Sequence, residues 1–336
     1  MNKVTKKGVL LMTWNIRGLG NRDKRNAMFR YFERLQPQII CLQETHLQPD
    51  SIHRLSSRKY SRQYHSTYSS YSRGVSVMVS ANVLFECIQQ QVDEEGRYVF
   101  LLCKLNKLTC IIAAIYIPPP FSVVPLRRLA QFMALYPDIP VLALGDFNNI
   151  LDYGLDRMSL IPKATGQMVG KTTFALLLSE VGLYDVWRER HGDERCYSCH
   201  SASHGGLSRI DLGLGSEALM HRVRDSAYEP RVLSDHSPFW VRLDATVATG
   251  RSLWKVNPFW LTLLPSPDGT VGLLQEYWQL NRGTAGAGVV WDTLKAFLRG
   301  CLIKEISGIK TRSREWEDKV RDEMKSREQA LVVDPS

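Results

Sequence analysis

The chain has 336 residues, with 43 Lys and Arg against 34 Asp and Glu, for a formal net charge of +9. Its 44% apolar and 23% charged content excludes collagen-like, mucin-like and wholly disordered chains and suffices for one large core or two modest ones. No apolar run approaches the roughly 20 residues of a bilayer span, so no membrane role is expected. Seven scattered cysteines suit a reducing compartment, nucleus or cytoplasm, better than a disulfide framework.

In chain order, residues 8–15 read as a strand. A helix is predicted over 22–36, where Met28, Phe32 and Leu35 recur at spacings of four and three. A nearly all-apolar strand over 38–44 ends in a carboxylate. Residues 45–73 read as a long polar loop mixing basic and aromatic side chains. Four strands, 75–80, 83–92, 98–105 and 108–117, follow at the spacing of antiparallel meanders. A helix over 126–136 and a buried strand over 140–144 lead into Gly145-Asp146-Phe147-Asn148. A helix over 171–181 and strands over 195–200, 207–214 and 237–243 complete the pattern. Mixed order with antiparallel neighbours predicts two sheets packed face to face with helices outside. After about residue 246 the character changes to an irregular stretch and, over 304–329, a charged helix.

The apolar runs are edged by short polar insertions: Trp14-Asn15, Gln43-Glu44, Asp146-Phe147-Asn148, Arg209-Ile210-Asp211 and Ser234-Asp235-His236. A hard divalent cation takes carboxylate and carbonyl oxygens plus water, and such a cluster can activate water and stabilise charge on phosphorus. A single Asp or Glu at a strand end is ordinarily a turn former or helix cap. Asp146 and Asn148 are more informative, since alternate positions of an extended segment share a face. Residues 1–36 carry nine basic and two acidic side chains, an excess that favours a polyanionic partner, nucleic acid ahead of membrane.

The series WNIRGL (14–19), LQETH (42–46), IYIPP (115–119), GDFN (145–148), SRIDLGL (208–214) and SDHSP (234–238) resembles the endonuclease/exonuclease/phosphatase superfamily, the group of exonuclease III and the apurinic endonucleases. In finer detail, with QETHL, RGVSVMVS, GRYV and LDYGLDR, it looks like the endonuclease domain of LINE-type retrotransposons. The resemblance covers residues 8–246 as one domain and leaves 247–336 as a connector-like, mostly helical or irregular extension. It implies a four-layered α/β sandwich, two packed mixed β-sheets flanked by helices, with the site at one end of both sheets. It also implies a Mg²⁺-dependent enzyme, with Mn²⁺ as substitute, that nicks one DNA strand and leaves a 3′-hydroxyl. Carried onto this chain, Glu44 is the principal metal ligand, helped by Asn15, Asp146, Asn148, Asp235 and His236. Tyr116, Asp146, Asn148, Asp211 and His236 are the catalytic set: Asp146 handles the attacking water, Tyr116 and Asn148 support the transition state, and Asp211 holds His236 at the scissile phosphate. Arg17, Arg22, Lys24 and Arg209 are candidate DNA contacts. Arg17 stands where relatives often carry Asn or Asp, and Pro119 where Asn is common.

Two motifs lead elsewhere. Cys196-x-x-Cys199-His200, with His204, mimics haem-attachment and zinc patterns, but it lies in a strand-like segment, lacks a second Cys-x-x-Cys and has no export signal. Haem is not expected, and zinc is disfavoured. Residues 166–172 imitate a phosphate-binding loop with one residue too few between the glycines. Alternative readings are an apurinic-site or exodeoxyribonuclease III-like repair enzyme and a non-catalytic nucleic-acid-binding retroelement remnant. A polymerase is not expected, since no adjacent Asp-Asp pair occurs.

Overall fold

The computed structural model describes residues 8–159, 173–201, 206–245 and 267–333. Chain contacts divide them near residue 250 into two units. In the first, β1 (Val9–Asn15) lies parallel to β2 (Ile39–Gln43) through the helix α1 (Arg22–Leu35), a crossover long enough to return the chain in the same direction. Asn21 caps α1, its side chain accepting from the backbone N–H groups of Asp23 and Lys24. β3 (Arg62–Ser66) and β4 (Val75–Val79) extend this sheet beyond β2; on the other side lie β15 (Phe239–Leu243) and the edge strand β14 (Val223–Tyr228).

The second sheet has the order β10 (Leu183–Asp185), β13 (Asp211–Ser216), β8 (Val141–Asp146), β7 (Leu108–Tyr116), β6 (Tyr98–Leu105) and β5 (Phe85–Val92). Between β7 and β8 runs α2 (Val124–Ala134), and α3 (Thr173–Val181) precedes β10. A small third sheet of β11 (Cys199–Ser201), β12 (Gly206–Ser208) and β9 (Arg157–Ser159) stands beside the strand ends. The short helices α4 (Arg188–His191) and α5 (Glu217–Met220) complete this unit.

The inner strands, β1, β2, β7 and β8 among them, are apolar on both faces because both are covered. Val9, Leu11, Ile39, Cys41 and Val77 meet Leu101, Ile112, Ala114 and Leu144 between the sheets. Met12, Trp14, Ile40 and Met78 pack outward on Met28 and Phe32 of α1; Phe100, Ile111 and Ala113 pack outward on Leu126, Leu129 and Phe132 of α2. The four expected layers are present. Gly145 shows how tightly they are knit: a Cβ there would stand 1.9 Å from the carbonyl oxygen of Ile115. Gly145→Ala is expected to cost at least about 1–3 kcal/mol of stability, read as a lowered denaturant midpoint.

Local expectations differ in several places. The four consecutive strands are not one meander: β4 pairs with β2 and β3, and only β5, β6 and β7 run as neighbours. Residues 45–73 contain a 3₁₀ turn, Pro49–Leu55, and the edge strand β3. Its polar composition reflects exposure on one side, while Tyr64 packs on Phe85 with ring centroids 6.2 Å apart. The run over 207–214 breaks at Arg209-Ile210 into β12 and β13. Strands β9, β10 and β14 have no counterpart among the expected elements, and the strand expected over 195–200 begins only at Cys199. The phosphate-loop mimic at 166–172 and the irregular stretch 254–265 lie outside the described residues.

The second unit has helices α6 (Pro267–Asn281) and α7 (Ala287–Val333), joined by a short turn and packed through Tyr277 on Phe297, rings stacked at 4.5 Å. The helix expected over 304–329 begins earlier, at Ala287. No helix among the described residues is long and apolar enough to cross a membrane.

Candidate active site

Strand periodicity builds the site. In β1, β7 and β8 the residues of one parity face the core between the sheets, and those series end in Asn15, Tyr116 and Asp146. Register aligns them further: Tyr116 pairs with Asp146 across β7 and β8, and Asp146 with Asp211 across β8 and β13. Three polar side chains thus form one row at the end of the second sheet, and Asn15 meets it from the first.

Asn15 links the two carboxylates. Its Nδ2 donates to Glu44 Oε1 at 2.9 Å and to Asp146 Oδ2 at 2.8 Å, while its Oδ1 accepts from the Arg17 backbone N–H at 3.1 Å. Burial by itself would raise the Glu44 carboxyl, but hydrogen bonds from His46, Asn15 and Tyr116 outweigh it and hold it at about 2. Asp146 is the opposite case. It is fully buried, and burial together with Asp211 pushes it up to about 7 against the opposing pull of His236, Asn15 and Asn148.

His236 donates from Nδ1 to Asp211 Oδ2 at 2.8 Å. Burial would lower this imidazole, yet the adjoining Asp211 carboxylate raises it well above its ordinary value, favouring the imidazolium. The pair is held from behind: Trp14 Nε1 donates to the His236 carbonyl at 3.0 Å, Tyr228 donates its hydroxyl to the Asp211 carbonyl at 2.7 Å, and Ser198 Oγ accepts from the Asp211 N–H at 3.0 Å. Arg17, Glu44, His46 and Asn148 all have positive φ, between 45° and 53°, a conformation that non-glycine residues tolerate when surroundings over-determine it and that gathers at functional sites.

Glu44, Tyr116, Asp146, Asn148, Asp235 and His236 line one open cleft of about 780 Å³, with Arg17 and Pro119 at its wall. Asn148 reaches Asp146 by a different route from the one expected. Its φ of 45° takes it out of the strand, and its backbone N–H and Nδ2 return to the carboxylate at 2.9 and 3.3 Å. Arg17 is exposed and ion-paired with Asp235; Lys24 Nζ lies 3.0 Å from the Arg17 carbonyl, and Arg22 is exposed at the start of α1.

Arg209 is a correction. It has no exposed surface and cannot meet DNA: its Nε and Nη2 bind Asp156 at 2.8 and 3.0 Å, and Nη2 lies 2.6 Å from Asp185. Sequence reasoning also passed over His46, 3.3 Å from Glu44, although it stands two residues beyond it in Gln-Glu-Thr-His. Arg157, on the cleft wall, carried no signal. Cys196 packs against the core between the sheets and Cys199 on the cleft; His204 lies outside the described residues.

The donor set fits a hard divalent cation. Glu44 stays ionised at neutral pH, Asp146 adjoins it through Asn15, and the buried Asp211 Oδ1 has no hydrogen-bond partner. Asp146 and Asp211 bring carboxylate oxygens within 4.8 Å of each other, beside His236.

Residues 12–236 match the Endonuclease/Exonuclease/phosphatase family. The chain belongs to that family. It is therefore a phosphodiester hydrolase. Within the family, it is similar to an exodeoxyribonuclease of Bacillus subtilis (strain 168), 25% identical over 252 residues that span 68% of this chain and 96% of that protein. Its fold is similar to three solved structures. AP endonuclease LMAP from Leishmania major aligns at TM-score 0.57 and 19% identity, covering 71% of this chain and 88% of that one. The Xenopus laevis APE2 catalytic domain aligns at 0.55 and 22%, covering 73% and 94%. An AP endonuclease from Archaeoglobus fulgidus aligns at 0.53 and 21%, covering 70% and 100%.

Proposed function

We propose that the chain is a Mg²⁺-dependent DNA endonuclease that nicks one strand and leaves a 3′-hydroxyl, the kind of cut from which a retrotransposon's polymerase primes. The observation that carries this is the Asn15 amide, which holds Glu44 and Asp146 together beside the His236–Asp211 pair at a single cleft.

Mg²⁺ or Mn²⁺ bound by Glu44 with Asp146 would supply charge neutralisation at the scissile phosphate. The chain's own groups do the rest. Asp146, near neutrality, accepts the proton of the attacking water. The His236 imidazolium, fixed through Nδ1, offers Nε2–H to a phosphate oxygen, and Tyr116 and Asn148 stand beside the developing charge. In-line attack then breaks the bond from phosphorus to the 3′-oxygen. Arg17, Arg22 and Lys24 supply the cationic approach that a carboxylate-lined cleft lacks on its own.

Supercoiled plasmid with Mg²⁺ is expected to become nicked circles, and Glu44→Ala or Asp146→Ala to prevent it. Equal nicking by either variant refutes this site. DNA binding without nicking in either Mg²⁺ or Mn²⁺ would favour a non-catalytic role. A second reading, repair at apurinic sites, draws on the names of the three similar structures. Preferential cleavage of an abasic duplex over an intact T-rich duplex would select it.

A further inference from the structure

Beyond the hard-cation cluster, the cleft holds one thiol. Cys199 pairs with His236 as an isolated antiparallel bridge, tightened by hydrogen bonds from the His200 N–H to the Asp235 carbonyl at 3.3 Å and from the Ser237 N–H to the Ser198 carbonyl at 2.7 Å. The two backbones are thus locked side by side. The Cys199 Sγ stands 3.5 Å from His236 Nε2, and the ligand atoms of Cys199, Asp235 and His236 all lie within 4.8 Å of one another.

We propose that Cys199, Asp235 and His236 form a binding site for a soft or borderline divalent cation of the zinc class, and that its occupation removes His236 from the hydrolytic reaction. Three features support it. A tetrahedral zinc with its usual bonds to sulfur and imidazole nitrogen separates those two atoms by about 3.6 Å, so thiol and imidazole need not move. Asp211 already holds Nδ1, which leaves Nε2 facing the cation; a carboxylate behind a histidine is the usual support for a zinc ligand. The third ligand is released at small cost, because the Asp235 partner is an Arg17 side chain 62% exposed. Binding replaces the protons on the Cys199 sulfur and on Nε2, which pass to solvent. A thiolate ligand also separates this site from the oxygen-only set at Glu44, since soft sulfur selects against Mg²⁺. It differs from the Cys-x-x-Cys pattern as well, because Cys196 packs against the core.

The consequence for activity rests on the hydrolase reading above; the binding does not. The 336-residue chain titrated with Co²⁺ is expected to show a thiolate-to-cobalt charge-transfer band saturating at one equivalent, abolished by Cys199→Ser, weakened by Asp235→Asn and kept by Cys196→Ser. In a Mg²⁺-supported nicking assay, Zn²⁺ inhibition is expected to need at least about tenfold more zinc in Cys199→Ser. A band absent from the unaltered chain or unchanged in Cys199→Ser overturns the site, as does zinc inhibition indifferent to Cys199. Should Mg²⁺ support no nicking, the function fails while the cobalt spectrum still decides the site. If Cys199→Ser does not fold, Asp235→Asn decides it, and an undiminished band there overturns the proposal.

Discussion

Asp146→Asn is expected to lower DNA hydrolysis by about 10²- to 10⁴-fold, the range lost when a positioned proton acceptor is removed, and to abolish the acidic limb of the pH profile. That limb is the protonation of Asp146, which burial and Asp211 push up to about 7 in the cation-free chain; a cation on the carboxylate moves the limb to lower pH, and below it the carboxyl holds a proton and cannot accept one from water. Stability runs the other way. The folded carboxyl titrates above its ordinary 3.8, so the folded chain binds this proton more strongly than the unfolded chain. The contribution is complete below about pH 4 and is lost as pH rises through about 7. Asp146→Asn is therefore expected to be more stable than the unaltered chain at pH 8 and much closer to it at pH 4, measured by denaturant melts without added divalent cation. Undiminished nicking, or a stability difference of the opposite sign, would refute the assignment.

The second large effect concerns folding. Arg209 lies wholly buried between Asp156 and Asp185, with its guanidinium 5.2 Å from the Trp187 ring and Arg188 also paired to Asp156. Truncation leaves buried carboxylate charge only partly compensated, a loss of about 3–5 kcal/mol. In a domain this large, Arg209→Ala is expected to lower the melting temperature by roughly 6–20 °C. Arg209→Lys will not restore it fully, since one ammonium cannot reproduce the two-point contact with Asp156. The salt dependence of DNA binding by the folded fraction is expected to stay unchanged, because no phosphate contact is lost. A reduced salt slope would instead return Arg209 to the DNA surface.

Arg209 shows where sequence reading stops. An arginine in Ser-Arg-Ile-Asp next to an apolar strand looks the same whether it points to DNA or into the protein, because the deciding partners, Asp156 and Asp185, are 53 and 24 residues away. Cys199 is the opposite case. Its spacing to Cys196 and His200 only mimics a local metal cluster, and the partner that the fold sets against it, His236, is 37 residues away. Asn148 meets Asp146 for a reason other than strand alternation, and His46 stands only two positions after its partner Glu44. Strand β14, with polar residues at an edge, gave too weak an apolar pattern to be seen.

What the sequence determined by itself is the local part: apolar runs long enough to be covered on both faces, a capped amphipathic α1, and an ordered set of polar residues at the ends of those runs. These follow from side-chain period and backbone chemistry, which act over a few residues. Tertiary structure decided the rest. Only the pairing of β7 with β8 and of β8 with β13 brings Tyr116, Asp146 and Asp211 into one row, and only the packing of two sheets sets Asn15 against it. Their surroundings then divide two chemically similar carboxylates: hydrogen bonds hold Glu44 at about 2 against its burial, while burial and Asp211 raise Asp146 to about 7. The desolvation and charge neighbours responsible come from segments as much as 131 residues apart.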